Sequence, residues 1–301
     1  MTRNKEFKLR YAAVLLLAII FYTPHGVCDM MTDSPVTFPE DGPIPAEYPP
    51  DEPANGNEAQ EEGYYILRTP VRSLAQIEQI QAEMPKGQFT PPPNDWRFLQ
   101  RTRDILTNGG QLHVLALGDS IVNDTMRSGW LAKLQEAYPK AEIKGTVYVR
   151  GGGGCQHYKQ ENRIGKNVVP RNPDLVFIGG ISQNSIEDIR TVIQQLREAL
   201  PQVEIILATG VFGTSDPRDP EELSRAAYSG TGEYGRLLKA LAADERCAYI
   251  DMTSPWAQYI RSSELHPHMF YRDAVHANEF GEQILSKILM AFFRMPDGKE
   301  R

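Results

Sequence analysis

The sequence predicts an α/β domain built on a parallel five-stranded sheet, and three observations carry that expectation. Short apolar runs with the look of buried parallel strands alternate with segments whose apolar residues recur at helical spacing. The alternation starts near Gln111 and runs to a last apolar helix face ending at Phe292. Glycines and reactive polar residues follow the strand runs, at the carboxyl ends where open α/β sheets bind ligands. Strands interleaved with helices imply a sheet covered on both faces.

The first segments stand outside that domain. Arg3, Lys5, Lys8 and Arg10 form a basic region ahead of an apolar run from Tyr11 to Tyr22. The run is shorter than the ~20 apolar residues a membrane-spanning helix needs. Small residues at Gly26-Val27-Cys28 precede Asp29, so residues 1–28 are expected to be a signal peptide and the chain secreted or periplasmic. An uncleaved signal anchor is the alternative, and membrane contact is expected only through it. Residues 29–63 are rich in Pro and acids and poor in large apolar residues, the composition of a disordered linker. Residues 64–301 are expected to form the domain, opening with a helical lead-in over 64–110.

Within the lead-in, Leu74, Ile77 and Ile80 predict a short helix that stops before Pro85. After Pro91-Pro92-Pro93, Asn94 or Asp95 is placed to cap a helix with Trp96, Leu99, Ile105 and Leu106 on its apolar face. Leu112–Leu117 is the first strand, ending at Gly118. Trp130, Leu131, Leu134 and Ala137 mark a helix ending at Pro139. Ile143–Val149 and Leu175–Ile178 are the second and third strands. Ile186, Ile189, Ile193 and Leu196 mark a helix ending at Leu200-Pro201, followed by a fourth strand over Val203–Ala208. Leu237, Leu238 and Leu241 belong to the next helix, and Ala248–Ile250 is the fifth strand. Ile284, Leu285, Ile288, Leu289 and Phe292 line the last helix, with Asn278 placed to cap it.

The net charge of −7 argues against nucleic acid, which rewards clustered Lys and Arg. Cys28 leaves with the expected signal peptide. Cys155 and Cys247 are then expected as two buried free thiols; a disulfide between them is allowed by an oxidising compartment but by nothing in their spacing. No Cys/His spacing suggests a zinc site, and no metal or cofactor is expected.

The residues with chemical potential converge on one sheet edge. After the first strand comes Gly118-Asp119-Ser120, then Ile121-Val122-Asn123-Asp124. After the second comes Gly151–Gly154, and after the third Gly179-Gly180-Ile181-Ser182-Gln183-Asn184. Asp273 and His276 lie three apart ahead of the last helix. A serine nucleophile needs a base within hydrogen-bond reach and an acceptor that orients the base. Ser120, His276 and Asp273 supply those types. A developing oxyanion needs preorganised N–H donors, which the Ser120 amide, a glycine amide from Gly151–Gly154 and a side-chain amide of the third loop could provide. Taken singly, each motif has a blander reading: Gly-Asp-Ser as a turn, the glycines as a loop, Asp-x-x-His as a helix cap. Their order, each at a strand end, is the specific signal.

These four blocks resemble those of the SGNH/GDSL hydrolase superfamily in the same order, over roughly Leu112 to Phe292. The resemblance implies a three-layer flavodoxin-like fold and ester hydrolysis without a metal. It places Ser120 as nucleophile, His276 as base, Asp273 as acid, and Gly154 as the oxyanion glycine. The third block departs from the pattern, because Ile181 stands where the family has its asparagine after a glycine. Asn184 and Gln183 compete for that role, with Asn123 a third candidate. The implied substrate is a small-molecule or polysaccharide ester, and an exported member suggests deacetylation of a carbohydrate. A lipase or lysophospholipase activity, or a non-catalytic glycan-binding domain, are the alternatives. His266 and His268 flank Pro267 in what reads as a surface loop, and His157 follows the glycine block as pocket lining or loop packing. The long segment after the fourth strand, with Arg218, Arg225 and Tyr228, is the first guess for substrate selection.

Overall fold

The central strands form from runs buried on both faces, residues 114–118, Leu175–Ile178 and residues 205–208 among them. In the computed structural model the described residues are 64–65, 72–183, 185–211, 216–219, 221, 232–273 and 275–295. The expected signal peptide and linker lie outside them, as do Asn184, Arg225 and Tyr228. In chain order the elements begin with β1 (Tyr64–Tyr65), α1 (Leu74–Glu83), α2 (Gln100–Asn108), β2 (Gly110–Gly118) and α3 (Ser120–Arg127). Next are α4 (Trp130–Ala137), β3 (Ala141–Arg150), the single-turn α5 (Cys155–Tyr158), β4 (Leu175–Ile178) and α6 (Ile186–Ala199). The chain continues through β5 (Glu204–Ala208), α7 (Glu233–Asp244), β6 (Ala248–Ile250), α8 (Thr253–Ser263) and α9 (Glu279–Phe292).

The sheet order is β1-β3-β2-β4-β5-β6. The pairs β3–β2, β2–β4, β4–β5 and β5–β6 are parallel, and β1 pairs antiparallel with β3 at the edge. Counted from β2 to β6, the five parallel strands run 2-1-3-4-5, the flavodoxin-like order, whose switch point lies between β2 and β4. The expected parallel five-stranded α/β fold is therefore present, with a two-residue edge strand that Tyr64-Tyr65 alone could not announce.

Side chains alternate across the sheet with a period of two. Leu112, Val114 and Ala116 of β2 enter one core with α3, α4, α8 and α9, while Leu115 and Leu117 enter the other with α6 and α7. Ile284, Leu285, Ile288, Leu289 and Phe292 of α9 are fully buried, each worth roughly 1.5–3 kcal/mol of transfer free energy. Asn278 caps this helix, accepting from the Phe280 and Gly281 amides at 3.0 Å. Trp130 is core, stacked on Phe293 at 5.4 Å.

Several local expectations change. α2 starts at Gln100, and neither Asn94 nor Asp95 caps it. Asp95 instead accepts from the Arg97 amide and guanidinium, and Asn94 donates to the Arg294 carbonyl. Trp96 and Leu99 are still buried, through the turn that precedes the helix. Leu237 faces solvent, since Leu238, Leu241 and Ala242 carry the buried stripe of α7. Gly154 N-caps the short α5. Cys155 and Cys247 are buried free thiols, as expected.

Candidate active site

Ser120 occupies the first position of α3, directly after β2 at the switch point. Asp119 caps the helix through its side chain, accepting from Ile121 N at 2.9 Å. The same buried carboxylate accepts from Ile181 N and Ser182 N, both at 2.7 Å, in the loop after β4. Gly180 makes this approach feasible: its φ is +98°, and a Cβ there would lie 2.3 Å from Asp119 Oδ1. Burial pushes the Asp119 carboxyl above its ordinary range, while the Ser182 hydroxyl and the loop amides pull the other way. One aspartate thus ties the turn that presents Ser120 to the neighbouring loop.

The opposite partner comes from the loop over residues 271–277. Tyr271 and Ala277 form an antiparallel bridge, and Arg272 N donates to the His276 carbonyl at 3.0 Å, so the loop closes on itself. His276 Nε2 lies 2.8 Å from Ser120 Oγ, and His276 Nδ1 lies 2.8 Å from Asp273 Oδ2. Asp273 Oδ1 also accepts from the amides of Val275 (2.8 Å) and His276 (2.7 Å). Partial burial pushes this carboxyl up, but those two amides and the imidazole outweigh it and hold Asp273 below the usual carboxylate range. A carboxylate fixed on Nδ1 leaves Nε2 to face the hydroxyl, the geometry that lets an imidazole take a serine proton.

Gly154 N-caps α5 with no room for a side chain: a Cβ would fall 2.3 Å from the Ser182 carbonyl. Among the described residues, the Ser120 and Gly154 amides donate to no acceptor, which suits them to an incoming oxyanion. Gln183 is buried, its Oε1 accepts from Cys155 N at 2.9 Å, and its Nε2 donates to the Gly179 carbonyl at 3.0 Å. Its amide clasps the glycine block to the loop after β4. Asn184 lies outside the described residues. Asn123 is buried one turn beyond Ser120, and its Oδ1 has no partner among the described residues.

His157 accepts from Arg150 Nη1 at 3.0 Å and packs edge-on against Tyr158. Burial and the nearby Arg163 lower its pKa to about 4, so it is neutral at pH 7. His266 and His268 stack at 4.6 Å on the short turn before the 271–277 loop. Arg218 pairs with Asp216. Sequence reasoning missed the partners of this site: Asp119 as a link between loops, and Asp124 with Arg272, which bond at 2.8 Å. Their signal was present in the spacing, since Asp124 follows Ser120 by one helical turn and Arg272 directly precedes Asp273.

A family model for the GDSL-like lipase/acylhydrolase family matches residues 116–284, more than half of the chain. The chain belongs to that family. Membership makes it a serine-type ester hydrolase. No curated protein matches it. Among solved structures it is similar to a two-domain esterase (CEX) active on acetylated mannans, with 13% identity and a TM-score of 0.52. That match covers 71% of this chain and 55% of the other, and at such identity it shows the shared fold. A Clostridium thermocellum family 3 carbohydrate esterase matches at 14% identity and a TM-score of 0.41, covering 60% of this chain and 94% of its own. An α/β hydrolase enzyme, LAE5, from the metagenome of Lake Arreo matches at 19% identity and a TM-score of 0.47, covering 60% and 94%.

Proposed function

We propose that this ester hydrolase works through an acyl-enzyme on Ser120 and removes acetyl groups from a carbohydrate outside the cytoplasm. The observation that carries the mechanism is the continuous chain Asp273–His276–Ser120, with both hydrogen bonds at 2.8 Å. Ser120 Oγ attacks the ester carbonyl while His276 Nε2 takes its proton. The tetrahedral oxyanion is met by the Ser120 and Gly154 amides. Collapse breaks the acyl–alkoxide bond, and the alcohol leaves with the proton from His276. Water then attacks the acyl-Ser120, gives its proton to His276, and Ser120 recovers that proton as the carboxylic acid departs. Asp273 stays ionised and holds the imidazole in the productive tautomer.

Support for a carbohydrate acetate is the likeness to an esterase active on acetylated mannans, together with the signal-peptide pattern of residues 1–28. The export reading rests on the same pattern. A panel of p-nitrophenyl esters of increasing acyl length, beside acetate release from acetylated polysaccharides, tests the substrate class. Highest kcat/KM on acetyl esters, with acetate released from a glycan, is the expected result. Activity that grows with acyl length would replace the reading with a lipase-type one.

A further inference from the structure

The 271–277 loop carries two of the three proposed catalytic groups, yet its own closure does not attach it to Ser120. Asp124 makes that attachment. It lies on α3, four residues after Ser120 and so on the same helix face, and it is completely buried. Its Oδ1 accepts from Arg272 Nη2 at 2.8 Å, and its Oδ2 accepts from Ala277 N at 3.0 Å. Those two donors immediately flank the Asp273-x-x-His276 stretch, one on each side. The Arg272 guanidinium also donates to the Ala277 carbonyl, and Glu282 of α9 lies 3.8 Å from its Nη1. Glu282 is itself buried and paired with Arg72 at 2.8 Å, so Arg272 sits between two anchored carboxylates.

We infer that Asp124 and Arg272 form a clamp that sets the Ser120–His276 distance by fixing both ends of the 271–277 loop to the helix that bears the nucleophile. They are positioning residues, and the inference rests on the triad reading above. The physical reason is reach. A hydrogen bond of 2.8 Å from Nε2 to Oγ tolerates little drift, and a misplacement of about 1 Å in a reacting group can cost about 100-fold in rate. Ala277 N and the Arg272 guanidinium would release the loop together if the carboxylate were lost.

The test is a cycle of Asp124→Asn, Arg272→Gln and the double variant, with two readouts. The first is kcat and KM on p-nitrophenyl acetate. The second is the second-order rate at which a fluorophosphonate labels Ser120, together with the fraction labelled at completion. The clamp predicts kcat and labelling rate lowered in parallel, by about 10- to 100-fold, with full labelling at completion and KM nearly unchanged. The double variant should lose no more than the worse single one, because the two residues act as one unit. It buries no unpaired charge, so it carries the comparison if a single variant does not fold. Folded variants with wild-type rates overturn the clamp and leave the triad intact. A smaller labelled fraction at an unchanged rate also overturns it, since that is loss of folded protein alone. Wild-type protein that is neither labelled at Ser120 nor active overturns the triad, and the clamp with it.

Discussion

The two halves of the site are built differently. The Ser120 turn grows out of the sheet, and its organising aspartate, Asp119, is buried and bonded to three backbone amides. The 271–277 loop lies at the surface, and Asp273 keeps half of its side chain exposed. The buried Asp124 attaches it to the rest of the site, through the Arg272 guanidinium and the Ala277 amide. Both anchoring aspartates flank Ser120 on one short stretch of chain, one reaching to the loop after β4 and the other to the 271–277 loop. The Ser120 side inherits its rigidity from strand packing, whereas the His276 side acquires it from a few hydrogen bonds. Substitutions should therefore cost stability mainly on the first side and rate mainly on the second.

The largest effects belong to the loop. His276→Ala should lower kcat on an acetyl ester by about 10⁴-fold or more with folding preserved, as steady-state kinetics and thermal melts would show. Asp273→Asn should cost about 10²- to 10⁴-fold, because the imidazole loses the carboxylate that fixes its tautomer. A melt lowered as much as that of a core substitution in either variant would contradict the division of labour.

On the sheet side, Asp119→Ala leaves three amides without their acceptor in the core. Denaturant unfolding should show a loss of about 3 kcal/mol or more. Gly154→Ala tests the close approach to Ser182. Its Cβ would force the glycine block from the loop after β4, so Tm should fall clearly, and activity by about tenfold with it.

The smallest effect concerns acid. Asp273 has a depressed pKa when folded, so the stability it contributes is complete above the unfolded value of about 3.9 and is lost as pH falls through the folded value. The Tm of Asp273→Asn should accordingly vary less with pH below about 4 than that of the wild type. Equal slopes in an acid melt series would contradict the assignment.

Much of this was legible in the residues. Leu175–Ile178 and Ala248–Ile250 coincide with their strands, because buried parallel strands read as unbroken apolar runs. Asn278 was legible as a cap, since an Asn before an amphipathic stripe has few other uses. Ser120, Asp273 and His276 were named from order and spacing, and their side chains lie within hydrogen-bond distance. α8 was not foreseen, because Pro255 in its first turn reads as a loop signal. The partners of Gln183 were not legible, because an amide side chain can donate in any direction, and only the fold fixes which carbonyl it meets. Asp124 and Arg272 each stood beside a named residue in the sequence, but they are 148 positions apart, and only packing makes them a pair.

The central claim is that Ser120 carries the acyl group during turnover. Acid-quenching the protein during hydrolysis of an activated acetyl ester, then mapping the acetylated peptide by mass spectrometry, tests it most directly, with Ser120→Ala alongside. The account predicts one acetyl group on the peptide containing Ser120, and neither adduct nor turnover in Ser120→Ala. Turnover that persists in Ser120→Ala, or an acetyl group trapped reproducibly on another residue, would contradict it.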